Sequence, residues 1–343
     1  MPPKQNRQVR LKSRPSGIPQ AEHFEIVDTD IPELGTGQIL VRNEYLSVEP
    51  AMRGWVSAVA NYSTPVPIGE VMRAFSAGKV IASRHPDYAE GDAVMGMLGW
   101  QHYAVSDGRS ITRKVKETDL PLSLSLGVLG LNGVTAYFGL LDLGQPRPGD
   151  TVVVSTAAGA VGSAVGQIAK LMGCRTVGIT GGAGKTKLCR EEFGYDAAID
   201  YKAERDLKAA LAAACPRGLD VYFDNTAGAI SDAVLTQLAI RARVVICGTA
   251  SVPSWDPLPT GPRVERHILV KRARMSGLLI FDYAHRYEEA IARLATWVRE
   301  GKLRCREDIA EGIESCPGAI AELYRGENLG KRLVHLSDAT GAA

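Results

Sequence analysis

Residues Ala157-Ala158-Gly159-Ala160-Val161-Gly162 form a run of small side chains between an apolar stretch, 151–155, and a helix-like one, 160–172. A strand, a small-residue turn and a helix in immediate succession make a seat for a dinucleotide pyrophosphate. The usual spacing carries three glycines. Here Ala157 stands at the first, Gly159 lets backbone approach the phosphates, and Gly162 lets the helix pack closely. The helix N-terminus offers free N–H donors and the positive end of its dipole to the anion. A tight turn that binds nothing is the bland alternative.

The end of the following strand says which dinucleotide. An NAD site places a carboxylate about 20 residues further on, where it accepts from the adenine-ribose 2′-hydroxyl. This chain reads GITGGAGK there, with no acid, and Lys185 can neutralise a 2′-phosphate as a mobile point charge. NADPH/NADP+ is therefore expected rather than NADH. A lysine that merely solvates the start of the next helix would leave the same trace.

Other chemistries find little support. The cysteines, Cys174, Cys189, Cys215, Cys247, Cys305 and Cys316, include no C-x-x-C pair, and His23, His85, His102, His267, His285 and His335 show no ligand spacing. Neither a metal nor a disulfide framework is expected. With 40 basic and 38 acidic residues the formal charge is +2, too small a field to recruit nucleic acid or an anionic membrane. The basic N-terminal stretch is followed by no apolar run of signal-peptide length, and no run reaches membrane-span length, so a cytoplasmic protein is expected.

The elements that must position the turn follow from patterning. A chain of 343 residues, 45% hydrophobic, suggests two domains. From residue 39 to about 115, short apolar runs separated by Gly, Pro and Asp predict a twisted, mostly β, barrel-like domain. The stretch 125–144 reads as helical and is broken at 146–150. Strands then alternate with helices: strands at 151–155, 176–179, 198–199, 221–224 and 244–247, helices at 160–172, 185–192, 206–214, 229–237 and 288–300. This α/β rhythm predicts a doubly wound parallel sheet. Beyond 301 come a strand-like run, a helix at 317–324 and the strand RLVHL; the Pro/Gly-rich loop 253–262 is expected to edge the active site.

Taken together, RPSGIP, YLSVEPAMRG, SLGVLGLNGVTAYFGLLDLGQPRPGD, AAGAVGSAVGQIAKLMGC, YFDNTAG, PLPTGP and NLGKRLVHL give the chain a family likeness that runs nearly end to end. It resembles the zinc-free medium-chain dehydrogenase/reductases, in the group of prostaglandin reductases, alkenal double-bond reductases and bacterial curcumin reductases. The resemblance implies a Rossmann sheet plus a GroES-like mostly-β barrel domain. The barrel would occupy 1–128, the NADPH-binding domain 129–300, and 301–343 would return to the first domain. It implies cofactor contacts from Gly159, Ala160, Val161, Gly162, Lys185, Tyr201, Asn225, Cys247, Gly248, Leu278, Leu279, Ile280 and Asn328. It also implies a homodimer, with 275–280 as an apolar sheet edge suited to pairing.

The reaction implied is hydride transfer from NADPH to the β-carbon of an α,β-unsaturated ketone or aldehyde, followed by protonation at the α-carbon. The protein must hold the alkene and offer a hydrogen-bond donor where negative charge develops on oxygen. Relatives carry pocket tyrosines at the positions of Ala51 and Pro253, so the substrate pocket is altered and widened here. Tyr62, aligned with another pocket tyrosine, is the expected surviving donor. A quinone reductase on the same scaffold, or a protein that binds NADPH without turnover, would share the cofactor residues.

Overall fold

The computed structural model describes residues 5–58, 63–252, 257 and 259–337. The chain divides into two compact units, one formed by Met1–Leu126 with Glu307–Ala343 and the other by Gly127–Arg306.

In the first unit, β1 (Gln5–Leu11) and β2 (Phe24–Asp30) pair antiparallel. Sequence patterning passes over them because Val9 and Leu11 alternate with Gln8 and Arg10, and the strand reads as a basic tail. Then come β3 (Ile39–Ser47), the one-turn α1 (Met52–Trp55), β4 (Ser76–Ser83), β5 (Ala93–Gly96), β6 (Tyr103–Ser106) and β7 (Ile111–Lys114). Ile39, Val41, Val80, Val94, Leu98 and Ala104 form a buried cluster among these strands.

The second unit opens with α2 (Leu131–Phe138), which widens into a π-helical stretch, Gly139–Gly144. The single helix expected over 125–144 is thus a correction. Gly127 to Gly130 form a turn, and α2 starts only at Leu131 because Gly133 lies on the Val128 carbonyl, 1.8 Å from where a Cβ would stand. The chain continues through β8 (Thr151–Ser155), α3 (Ala160–Leu171), β9 (Arg175–Thr180), α4 (Ala183–Glu191), β10 (Ala197–Asp200), α5 (Leu207–Ala214), β11 (Leu219–Asp224), α6 (Gly228–Val234), β12 (Leu238–Ile246), α7 (Glu265–Lys271), β13 (Arg274–Gly277) and α8 (Tyr287–Arg299). All six strands are parallel, in the order β10-β9-β8-β11-β12-β13. This is the doubly wound arrangement, and its winding reverses between β8 and β11, where a crevice opens beyond the strand C-termini. β8 is buried throughout, as a central parallel strand must be.

Where the chain leaves this unit, Gln167 of α3 clasps Arg304. Its side-chain carbonyl accepts the Arg304 amide at 2.7 Å and its amide donates to the Arg304 carbonyl at 2.9 Å. The tail then adds β14 (Glu307–Glu311), α9 (Cys316–Arg325) and β15 (Lys331–His335) to the first unit, giving a seven-stranded sheet ordered β14-β15-β3-β4-β5-β7 with β6 on β3. The join of β15 to β3 carries a buried ion pair. Lys331, 4% exposed, donates to Glu49 at 2.7 Å, to the Ser47 hydroxyl at 2.6 Å and to the Val48 carbonyl at 3.1 Å.

Candidate functional site

Strand β8 ends at Ser155, and the next residue, Thr156, takes a left-handed backbone, φ 54°. The tight turn is therefore made by a threonine one place before Ala157, which explains why an alanine suffices where the usual fingerprint has glycine. At Gly162 no alternative fits, since a Cβ would stand 2.3 Å from the Thr156 carbonyl oxygen. Gly159, at the N-cap of α3 with φ −82°, has no conformational need for glycine, but a Cβ there would stand 3.0 Å from the Thr156 side chain and 3.2 Å from its carbonyl oxygen. The amides of Ala160, Val161 and Gly162 belong to the first turn, where no helical carbonyl can reach them. Free amides at a helix N-terminus are what an anion cradle requires.

The second cluster forms at the ends of β9 and β10. Gly182, φ 94°, turns the chain into α4, and Lys185 lies half-buried in its first turn. Burial pushes the Cys189 thiol up to about 12, and the ammonium of Lys185, four residues earlier on the same helix, opposes that rise. Above Gly181 lie the Tyr201 ring and the Lys202 stem, each 3.0 Å from an ideal Cβ. Gly181 stands where an NAD site would place its carboxylate. The neighbouring acid, Asp200, faces backbone instead, accepting the Gly182 amide at 2.8 Å and the Lys202 amide at 3.0 Å. Tyr201 is thus brought over Gly181 together with Lys202, which sequence reasoning missed, as it missed Asp200, while Lys185 lies in the first turn of α4.

The third cluster sits at the winding reversal. Asn225 follows β11 and donates its side-chain amide to the Ser155 carbonyl at 2.7 Å, while its backbone amide donates to the Ser155 hydroxyl at 2.8 Å. One of its two amide protons is therefore committed to the protein, leaving the other and the carbonyl for a ligand. The amides of Cys247 and Gly248 both donate to the Asp224 carbonyl, at 2.8 and 3.1 Å, and a Cβ on Gly248 would come within 2.9 Å of the Asn225 carbonyl. Burial pushes the Cys247 thiol up to about 12, so it contributes backbone and bulk, not a thiolate. Beyond β13 the Leu278 amide bonds the Ile246 carbonyl at 2.9 Å, and its side chain fits over Gly139, 2.7 Å from an ideal Cβ. Leu279 is 37% exposed, and Ile280 accepts the Tyr287 hydroxyl on its carbonyl at 3.1 Å.

The remaining expected residues lie elsewhere. Asn328 belongs to the first unit, is 8% exposed, and spends an amide proton on the Gly330 carbonyl at 2.7 Å. Ala51, also in the first unit, caps α1 and accepts the Trp55 amide at 3.1 Å. Tyr62 and Pro253 lie outside the described residues, as does most of the loop from 253 to 258. Among the described residues no group of three or more His, Cys, Asp and Glu is placed to hold a metal.

Two family models match the chain, an N-terminal domain of oxidoreductase over residues 7–114 and a zinc-binding dehydrogenase domain over 160–296. The NADPH-dependent curcumin reductase of Escherichia coli is 43% identical over 337 residues, covering 97% of each chain. The NADP(+)-dependent 2-alkenal reductase of Nicotiana tabacum is 37% identical, covering 97% of this chain and 98% of its own. The crystal structure of CurA from Vibrio vulnificus in complex with NADPH superposes with a TM-score of 0.91 at 43% identity, covering 97% of this chain and 99% of the other. Sheet order, the glycine-lined cradle and these likenesses agree, and the chain belongs to the medium-chain dehydrogenase/reductase family, in the group of curcumin, alkenal and prostaglandin reductases.

Proposed function

We propose that this chain is an NADPH-dependent reductase acting on the carbon–carbon double bond of α,β-unsaturated ketones and aldehydes. The observation that carries the reading is the cluster over Gly181. Lys202 and Tyr201 pack over Gly181, where an NAD site has its acid, Lys185 follows in the first turn of α4, and the nearby carboxylate of Asp200 is turned onto backbone amides. The relatives named above are NADPH- or NADP-dependent reductases by name, which supports the same cofactor and substrate class.

The cradle fits the cofactor, since the amides of Ala160, Val161 and Gly162 at the start of α3 have no helical carbonyl to donate to and suit a pyrophosphate. NADPH, when bound, supplies the hydride for the β-carbon. The chain's own residues do the rest. Gly159, Ala160, Val161 and Gly162 present backbone to the pyrophosphate; Lys185 and Tyr201 hold the 2′-phosphate; Asn225, with the backbone of Cys247 and Gly248, orients the far ribose and nicotinamide. Leu278, Leu279 and Ile280 line the nicotinamide side, and Asn328 adds a polar contact. Tyr62 donates a hydrogen bond to the substrate oxygen as it becomes negative. Ala51 and Pro253, where relatives carry rings, leave room for a broader substrate. No metal is required by this scheme.

The protein acts as a homodimer in the cytoplasm on this reading. The outer side of β13, which pairs with no other strand among the described residues and has Met275 40% exposed, supports the dimer. Six free cysteines, and no helix among the described residues long and apolar enough to cross a membrane, support the compartment.

NADPH oxidation measured with a simple enone, an enal and a naphthoquinone, with products identified, tests the function. Saturated carbonyl products from the first two are expected. Turnover of the quinone alone, or tight binding without turnover, would overturn it. Tyr62→Phe should lower kcat with the enone roughly tenfold or more, and kinetic constants within twofold of wild type would remove that residue from the mechanism.

A further inference from the structure

The turn that presents Asn225 is built on a buried carboxylate to which the mechanism above gives no task. Asp224, 1% exposed, ends β11. Its Oδ1 accepts the Thr226 and Ala227 amides, both at 2.9 Å, the Tyr222 hydroxyl at 3.0 Å, and the Thr226 and Ser155 hydroxyls at 3.3 Å; its Oδ2 accepts the Ser231 hydroxyl at 2.5 Å. Buried carboxyl oxygens are tolerated when donors surround them in this way. The two backbone bonds hold Ala227 at φ 58°, a left-handed conformation that an alanine avoids unless its surroundings impose it.

The hydroxyl of Ser155 links this network to both halves of the cradle. It donates to Asp224 and accepts the Asn225 amide, while its own residue is the last before the left-handed Thr156 that starts the phosphate turn. Ser155 and Asp224 are 69 positions apart and meet because the sheet order sets β8 beside β11. The pyrophosphate turn and the Asn225 turn therefore share one internal anchor, and neither can rotate without breaking bonds to the other.

We propose that Asp224 is a positioning residue for the nicotinamide half of the cofactor, acting through Ser155 and Asn225 without touching cofactor or substrate. The inference rests on the NADPH reading above and adds a division of labour to it. The adenine end, at Lys185 and Tyr201, uses separate bonds through Asp200. Loss of the Asp224 anchor should loosen the reactive half and leave the other half alone.

The test uses the full chain with Asp224→Asn and with Ser155→Ala, the second removing the bridge alone should the first fail to fold. Binding of NADPH and of 2′-AMP, which has no 5′-phosphate to reach the pyrophosphate turn, is measured by calorimetry, with emission of bound NADPH and the kinetic isotope effect from 4-deuterated NADPH as readouts at the reacting end. The expected result is roughly tenfold weaker NADPH binding and lower kcat, altered emission, and 2′-AMP affinity within twofold of wild type. Parallel loss of both ligands, which general loosening of the fold would cause, overturns the proposal, as does retention of wild-type NADPH affinity, emission and kcat by Ser155→Ala. If the wild type binds neither ligand, the NADPH reading falls first and the proposal with it.

Discussion

The Tyr195 hydroxyl donates to the Gly162 carbonyl at 2.6 Å, and its ring fills the space where Gly166 would carry a side chain, 2.1 Å from an ideal Cβ. A single buried tyrosine thus holds the first turns of α3, and with them the phosphate cradle, against the segment leading into β10. Burial keeps its hydroxyl well above the usual tyrosine range, so it remains a donor at any working pH. Gly166→Ala should cost about 1–3 kcal/mol by overpacking and raise KM for NADPH. Tyr195→Phe should cost about 1 kcal/mol by loss of the hydrogen bond. Denaturant titration checks both, and an unchanged midpoint for Gly166→Ala would remove the packing argument.

Cofactor choice should respond to one charge. Lys185→Ala is expected to raise KM for NADPH about tenfold and to leave KM for NADH nearly unchanged, collapsing the ratio of kcat/KM between the two. High salt should weaken NADPH binding in the wild type more than in the variant. A preserved ratio would assign the 2′-phosphate to Tyr201 and Lys202.

A pH effect follows from β14. Burial pushes the Glu307 carboxyl above the ordinary glutamate range, against the opposing influences of the Ser123 hydroxyl, which donates at 2.8 Å, and of Lys331. The folded value exceeds the unfolded one, so the neutral acid favours folding. That contribution is full below about pH 4.3 and is lost as pH rises through the raised folded value. Glu307→Gln should flatten this part of the profile, narrowing the stability difference between pH 4 and pH 7 measured by chemical denaturation. An identical profile in wild type and variant would contradict the assignment.

The pair Lys331–Glu49 should behave as a buried pair does. Lys331→Met removes a buried cation from Glu49, Ser47 and the Val48 carbonyl and is expected to destabilise the first unit by about 3–5 kcal/mol, visible as an early transition in calorimetry. A loss under 1 kcal/mol would mean that water reaches this site.

The sheet edge offers a test of assembly. Met275→Asp puts a charge on the open side of β13, and light scattering should then report half the wild-type mass. A wild-type mass in the variant would move the interface elsewhere.

Much of the fold is legible in the residues because central parallel strands are continuous apolar runs: Val152, Val153 and Val154 announce β8, and Val221 to Phe223 announce β11. The edge strand β13, RMSG, carries no such signal, and in β1 the charged neighbours hide the buried positions. The glycines of the turn are legible because a strand end, a turn and a helix start are built from local chain. Ser155 and Asp224 are not, since each is an ordinary residue until the sheet order makes them neighbours. The threonine that forms the turn before Ala157 is likewise invisible, its left-handed backbone being imposed by its surroundings.

The clasp of Gln167 on Arg304 turns one peptide into a gauge of the cradle. The Arg304 amide is tied to the same helix whose N-terminus we assign to the phosphates, and its proton can exchange with solvent only when that clasp opens. Ligation at one end of α3 should therefore be readable as slowed exchange at the other, at the point where the chain leaves the nucleotide-binding unit.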